Sequence, residues 1–486
     1  MRSAAVAARQ PLPPGCAVAD RAERGRPALL AGPVLFAIVL LLPAPAGFSV
    51  AAWQVAALAV WMAAWWLTEA LPLPVTALLP LLVLPTLGVS PLGPVAAQFA
   101  HPIVWLFFGG FALSLALERH GLHQRLVAAV LRQSGPGPRA ALGGVMLATA
   151  SISLWLNNTS AALAMLPAGR ALIGRWPVAD EAAQRFARAV LLGIAYAATL
   201  GGLGTLVGTA PNAFLAAFLQ DNYGIEIGFA RWMLIGVPLA AVLMLASWAL
   251  LVFQYRLPAS DPPLELGLAQ PPWTVGERRL AVVFGLLVAA WLLRPLAPWA
   301  WAAQLGDAGV AVAAALVLFV TPSGGGQSGS LLEWSDLDRL PWGVLVMFGG
   351  GLALAEAVSA SGLAQALGGA LAPLTGSSPW LILAAVVGSI ILISELASNT
   401  AVAAAFLPVV GAFAVASGGS VLELAIPAGL AASCAFMLPV GTPPNALAFS
   451  EGVLSVRDMA RAGLCLNLLS WLLLTLALPP LLRLLF

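Results

Sequence analysis

Two short polar clusters interrupt apolar stretches of this 486-residue chain, and they are copies of one another. Residues 157–167 read NNTSAALAMLP and residues 398–408 read SNTAVAAAFLP, with Asn, Thr, Ala, Leu and Pro in register. Downstream, VGTAPNA at 207–213 is matched by VGTPPNA at 440–446; upstream, Phe108-Gly109-Gly110 is matched by Phe348-Gly349-Gly350-Gly351. Three motifs recurring in one order at a nearly constant offset mark an internal repeat. A polar break halfway along an apolar segment predicts a hairpin that enters and leaves on one side with its tip buried in protein. Two such hairpins are expected, at 140–169 and 379–412, each followed by an interrupted span, at 189–220 and 424–450.

Composition names the solvent. The chain is 61% hydrophobic and 9% charged, with a mean hydropathy of +0.95, whereas a soluble domain is about a quarter charged. Most of its surface must face lipid. About eleven spans are expected from the length needed to cross the hydrocarbon core, at 28–47, 51–70, 74–90, 102–118, 189–220, 229–253, 280–298, 308–322, 342–360, 424–450 and 462–484. Tryptophans such as Trp65, Trp66, Trp299 and Trp301 read as interfacial belts. A net charge of +2 argues against a nucleic-acid partner. Every basic residue outside histidine is arginine, which together with abundant Ala, Gly and Pro suggests a GC-rich bacterial genome. Cys16, Cys434 and Cys465 are too few and too scattered for a disulfide framework or a zinc site. Residues 1–27 carry Arg2, Arg9, Arg21, Arg24 and Arg26; they read as a disordered cytoplasmic tail and not a signal peptide, because the apolar stretch that follows leads into further spans. The Pro-rich segment 254–279 reads as a cytoplasmic linker between a first half, 28–253, and a second, 280–486.

Arginine placement gives orientation. Arg119, Arg125, Arg132 and Arg139 precede the first hairpin, and Arg170, Arg175, Arg185 and Arg188 follow it, whereas 359–378 and 413–423 around the second contain none. Cytoplasmic loops are enriched in basic residues, so the hairpins are expected to open on opposite sides and the two copies to be inverted. Such an architecture points to a secondary transporter with its site near mid-membrane at the repeat interface. Polar residues also glue membrane helices together, but that role does not call for the same cluster twice, each joined to the same Gly-Thr-x-Pro-Asn break.

The break suits two ligands at once. Pro removes a backbone donor and Gly permits unusual torsions, so nearby carbonyls lose their helical partners. With Thr and Asn oxygens they suit a small hard cation such as sodium. The N-terminus of the half-helix that follows suits an anion. No arginine occurs at 140–169, 189–230 or 340–456, so an anion there needs bound cations and backbone dipoles for compensation. All aspartates fall in expected loops or tails, leaving Glu69, Glu356 and Glu395 within or near spans, where a proton-coupled carrier would need a carboxylate. Glu69 sits at a span end, in an interfacial structural role. Glu395, three residues before Ser398, either orients the hairpin tip or tunes the ion site. His101, His120 and His123 read as interfacial rather than metal-binding.

At these motifs the chain resembles the divalent anion/sodium symporter family, which carries dicarboxylates, citrate or sulfate. The matching pieces are NNTS at 157–160, SNTA at 398–401, VGTAPN at 207–212, VGTPPN at 440–445 and TEALPLPVTALLP at 68–80, and the likeness runs from about residue 30 to the C-terminus. The resemblance implies an all-α polytopic bacterial inner-membrane protein with a cytoplasmic N-terminus, a homodimer in which a transport domain moves as an elevator against a scaffold. It implies sodium as coupling ion, held at one site by Ser153, Asn157, Asn158 and the loop at Gly208, and at another by Ser394, Ser398, Asn399 and the loop at Gly441. It implies substrate contacts from Asn158, Thr159, Asn399 and Thr400, with Thr209, Pro211, Thr442 and Pro444 nearby. Asn157 stands where the family's first motif has Ser, and a bulkier amide there would alter the ion-site geometry.

The leading expectation is a sodium-coupled importer of a small divalent anion, foremost a C4-dicarboxylate. The alternative on the same scaffold is a sodium-independent anion exchanger. A membrane-embedded enzyme would need a nucleophile–base pair or metal cluster at membrane depth, which the sequence does not offer. A channel for a neutral metalloid would not need duplicated ion sites.

Overall fold

The computed structural model describes residues 14–135, 137–178, 180–260, 272–298, 300–324, 327–371 and 378–486. Apart from one antiparallel ribbon pairing Pro322–Gly324 with Gln327–Ser330, which the sequence reading did not anticipate, the described elements are helical. Among the described residues, seven helices are long and apolar enough to cross a bilayer, with shorter apolar helices between them.

The departures from the expected eleven spans have identifiable causes. The span expected at 74–90 is two short helices, Leu73–Thr76 and Leu79–Thr86, cut into a stretch containing Pro74, Pro80 and Pro85. The last span is Val456–Leu472 and Leu478–Leu485 joined by a π-helical turn at Leu473–Ala477; Pro479 and Pro480 lack the N–H groups that an uninterrupted α-helix would use there. The first helix runs Pro14–Leu41, so part of the segment expected as a disordered tail is helical, and residues 1–13 lie outside the described residues. Hydropathy marks where lipid contact begins, not where a helix does, and the stretch before Pro27 includes Ala, Arg and Glu, which are good helix formers. Of the linker, 261–271 lies outside the described residues, as does Trp299; the linker's end is the capping box of Thr274 and Glu277 that opens helix Val275–Leu293.

The polar clusters fall at the turns of two helical hairpins, Pro138–Ser153 with Asn158–Ile173 and Pro379–Ser394 with Asn399–Ala416. Each is followed by a broken helix. The first is Glu181–Gly202 and Ala210–Tyr223; the second is Val421–Ala431 and Pro443–Ser450. These elements interlock across the halves. Ala210–Tyr223 packs on the second hairpin's Asn399–Ala416, while Pro443–Ser450 packs on Glu181–Gly202 and on the first hairpin's Asn158–Ile173. Arg170 of the first hairpin grips Glu451 at the end of the second broken helix through both carboxylate oxygens, at 2.7 and 2.5 Å. The Phe-Gly-Gly motifs lie on helices Pro102–Arg119 and Trp342–Ala360, which meet through the rings of Phe107 and Phe348, 4.7 Å apart. A Cβ at Gly109 would stand 2.6 Å from the backbone of Ala311, so this motif serves close helix packing.

Candidate functional site

The first site is built where the tip of the first hairpin meets the first break. Ser153, the last residue of its helix, is fully buried and donates its hydroxyl to the Ala198 carbonyl at 2.5 Å. The Asn158 side chain faces three oxygens: Ala198 O at 3.1 Å, Ser153 Oγ at 3.1 Å and Gly208 O at 3.3 Å. With its nitrogen toward them the amide closes the cluster by hydrogen bonds; with its oxygen toward them four oxygens converge, an arrangement that needs a cation. Thr205 Oγ1 ties tip to break, donating to Leu154 O at 2.6 Å and accepting from Gly208 N at 3.0 Å.

The second tip repeats the plan with different partners. Ser394 is fully buried, and among the described residues its Oγ has no hydrogen-bond partner, nor has the buried Oδ1 of Asn399. Glu395 is 4% exposed. Its Oε1 accepts from Phe436 N at 2.7 Å, Met437 N at 2.9 Å and Asn467 Nδ2 at 2.7 Å, and its Oε2 from Met437 N at 3.1 Å and Leu438 N at 3.0 Å. This carboxylate therefore fastens the second tip to the second break. Thr159 and Thr400 are half-buried at the two tips.

The breaks themselves are held by residues that the sequence reading did not single out. Asn212 Nδ2 donates to Gly202 O, Leu203 O and Thr205 O at 3.0, 3.3 and 2.8 Å; Asn445 Nδ2 donates to Ala435 O and Leu438 O at 3.3 and 3.0 Å. Both are fully buried, and each bridges carbonyls seven and ten residues upstream of itself. Unwound backbone at membrane depth survives only when its polar groups are satisfied. The signal was present, since this Asn ends the duplicated VGTxPN motif. Asn467 carried none: it is one amide in an apolar helix, 72 residues from its partner Glu395. Thr209 caps the half-helix Ala210–Tyr223 without a side-chain bond, whereas Thr442 Oγ1 accepts from Asn445 N at 3.3 Å. Pro211 and Pro444 lie in the first turns of these half-helices, where their missing N–H groups cost nothing.

Asn157 is placed differently from its expected role. Its Oδ1 accepts from Ser160 N at 2.9 Å and its Nδ2 reaches Ser160 Oγ at 3.2 Å, so the side chain caps its helix. Ser398 occupies the N-cap of the second hairpin without a side-chain cap bond. The histidines are engaged with protein: His101 with Ile103 N and Asp221, His120 with Leu331 O, His123 with Leu117 O. No group of three or more His, Cys, Asp or Glu that could hold a metal occurs among the described residues.

A family model, the sodium:sulfate symporter transmembrane region, matches residues 27–482. The chain belongs to the divalent anion/sodium symporter family. Within it the chain is 38% identical over 458 residues to the sodium-dependent dicarboxylate transporter SdcS of Staphylococcus saprophyticus, covering 91% of this chain and 88% of that one. The SdcS protein of Staphylococcus aureus is 37% identical over the same lengths. Among solved structures, the YdaH transporter of Alcanivorax borkumensis superposes with a TM-score of 0.55 at 13% identity, over 80% of this chain and 87% of its own, a likeness of fold alone. The family membership makes this an all-α, multi-pass membrane transporter and sets aside the membrane-enzyme reading.

Proposed function

We propose that the protein is a sodium-coupled importer of a C4-dicarboxylate. The observation that carries the reading is a pair of buried polar clusters, each where a hairpin tip meets a break, in segments without a single arginine. A dianion there is costly unless compensated. Half-helix ends supply about half an elementary charge each at best, so cations must supply the rest, and Ser153, Asn158 and the Gly208 loop, with Ser394, Asn399 and the Gly441 loop, offer the oxygens. Thr159, Thr400 and the N-termini at Thr209 and Thr442 then face the carboxylates. The names of the SdcS relatives favour dicarboxylate over sulfate.

In this reading the halves are inverted repeats, the hairpins and broken helices move together as an elevator in a homodimer, and the protein sits in a bacterial inner membrane with its N-terminus cytoplasmic. The test is succinate uptake into proteoliposomes with sodium replaced by choline, together with succinate binding across a sodium series at constant ionic strength. Coupling between ligands typically amounts to about 1–3 kcal/mol, about 5- to 150-fold in affinity, and an effect of that size is expected. Affinity that stays flat across the series would overturn the reading in favour of a sodium-independent exchanger, whose anion would be held by amides and dipoles alone.

A further inference from the structure

Glu356 lies within the span Trp342–Ala360 and belongs to neither half-site. It is exposed, and among the described residues it makes no hydrogen bond or ion pair. A carboxylate inside a span is costly without a partner and points to a functional site. The repeat does not require it: Glu356 stands eight residues beyond Phe348, whereas Ala116 stands eight beyond Phe108. The Glu356 side chain lines a pocket of about 220 Å³ between its own helix, the start of Val50–Thr68 and the segment from Leu84 to Gln98. The other polar residues of the lining are Ser90, Gln98 and Ser361, and the rest are Ala, Val, Leu and Pro. Gln98 Oε1 is buried and has no partner among the described residues. A buried acceptor is costly unless something donates to it. No arginine occurs at 27–118 or 340–456, so the segments that wall the pocket bring no positive charge of their own.

A pocket with these walls asks for a cation that also donates hydrogen bonds. A divalent metal surrounds itself with about six or more oxygens, which apolar walls do not supply. A quaternary ammonium is held by aromatic faces, and the lining has none. A primary ammonium carries N–H donors enough for both a carboxylate and an amide oxygen, while its carbon chain rests on the Ala, Val and Leu walls. Depth agrees with this. At 1.5 Å per residue Glu356 lies about 6 Å from the end of its helix. That end is where Ser49 Oγ donates to Ser361 O, and the ion pair of Arg339 with Glu118 lies beyond the other end. The pocket is thus at headgroup level. Leu82 and Leu92, on the short helices Leu79–Thr86 and Leu92–Ala97 beside it, are 64% and 54% exposed, so apolar surface open to lipid borders the site.

We propose that this pocket binds a primary ammonium group, with Glu356 as its counter-ion and Gln98 Oε1 as a hydrogen-bond acceptor. The ammonium comes either from a membrane lipid with an ethanolamine headgroup or from a free small amine. The site stands apart from the transport reaction proposed above and does not rest on it.

The experiment is calorimetric titration of the purified full-length protein in detergent, without sodium or succinate, using short-chain phosphatidylethanolamine and phosphatidylcholine. The second lipid has a trimethylated nitrogen and no N–H to donate. Phosphatidylethanolamine is expected to bind saturably and phosphatidylcholine about tenfold or more weakly, the loss of a charged hydrogen bond. Glu356→Gln should weaken phosphatidylethanolamine binding by a similar factor in protein that elutes like wild type. Free ethanolamine is then added in large excess. Competition assigns the site to a small amine, and lack of competition assigns it to the lipid, whose chains then contribute to binding. Equal affinity for the two lipids overturns the proposal, as does wild-type affinity in folded Glu356→Gln or an absence of saturable binding by both phosphatidylethanolamine and ethanolamine. If Glu356→Gln does not fold, the comparison of the two lipids on the wild type decides alone.

Discussion

Adding one methyl group at Gly208 should harm the carrier far more than adding one at Gly441, although the two glycines hold the same place in the duplicated motif. A Cβ at Gly208 would stand 2.6 Å from Gly202 O, 2.9 Å from Gly202 Cα and 3.0 Å from Ser153 O. All three are backbone atoms of the walls that form the first site. Ordinary contact begins at 3.4 Å, so the Gly202 carbonyl would have to retreat by about 0.8 Å (3.4 less 2.6). A Cβ at Gly441 meets Glu395 Oε2 at 3.1 Å, with Ala435 Cβ and Leu438 O next at 3.4 Å, so a side-chain oxygen has to give by a few tenths of an ångström. Neither glycine has a positive φ, which leaves space as the deciding factor. Overpacking of this kind costs about 1–3 kcal/mol. If the strain falls on the bound state, the half-saturating sodium concentration for Gly208→Ala should rise about 5- to 150-fold, and for Gly441→Ala less than about fivefold. The assay is sodium-dependent succinate uptake by reconstituted protein, normalised to the folded fraction from size exclusion. Gly208→Ala with wild-type sodium dependence, or Gly441→Ala as the worse of the two, would refute the packing argument.

Asn158→Ala and Asn399→Ala should each abolish uptake while the proteins still elute as folded species, because each removes one amide at a hairpin tip and leaves the helices' apolar packing in place; wild-type uptake by both would discard the site assignment. Asn157→Ser should transport like the wild type, since Ser and Asn cap helices about equally well, whereas Asn157→Ala should lower thermal stability by about 1 kcal/mol; a shift in sodium dependence for Asn157→Ser would instead make Asn157 an ion ligand. Single cysteines at Gly174 and Ala416, exposed at the ends of the second helices of the two hairpins, should be labelled by an impermeant maleimide from opposite faces of the membrane in a background without Cys16, Cys434 and Cys465. Labelling from one face would rule out inverted repeats.

The lipid solvent, the two copies and the places where their helices break could be read from the residues in order, because each is a local property. An apolar run long enough to cross a bilayer and a polar cluster in its middle involve neighbours in the chain. For the same reason the turn of each hairpin and the start of each half-helix, at Ala210 and Pro443, were legible. What these breaks meet was not. The Ser153 hydroxyl finds a carbonyl 45 residues away, and Glu395 finds its N–H donors 41 to 43 residues away and Asn467 at 72. No periodicity encodes such partners. They follow from the demand that every buried polar group in a bilayer be paired, and only packing decides with what. Asn157 shows the reverse case, because its place in the motif suggested an ion ligand and the local geometry made it a cap. The imbalance between the half-sites, a carboxylate in one and a leucine in the other, was written in the sequence at Glu395 and Leu154. Its meaning came from tertiary structure, which drew three backbone N–H groups onto that carboxylate and left the neighbouring oxygens open.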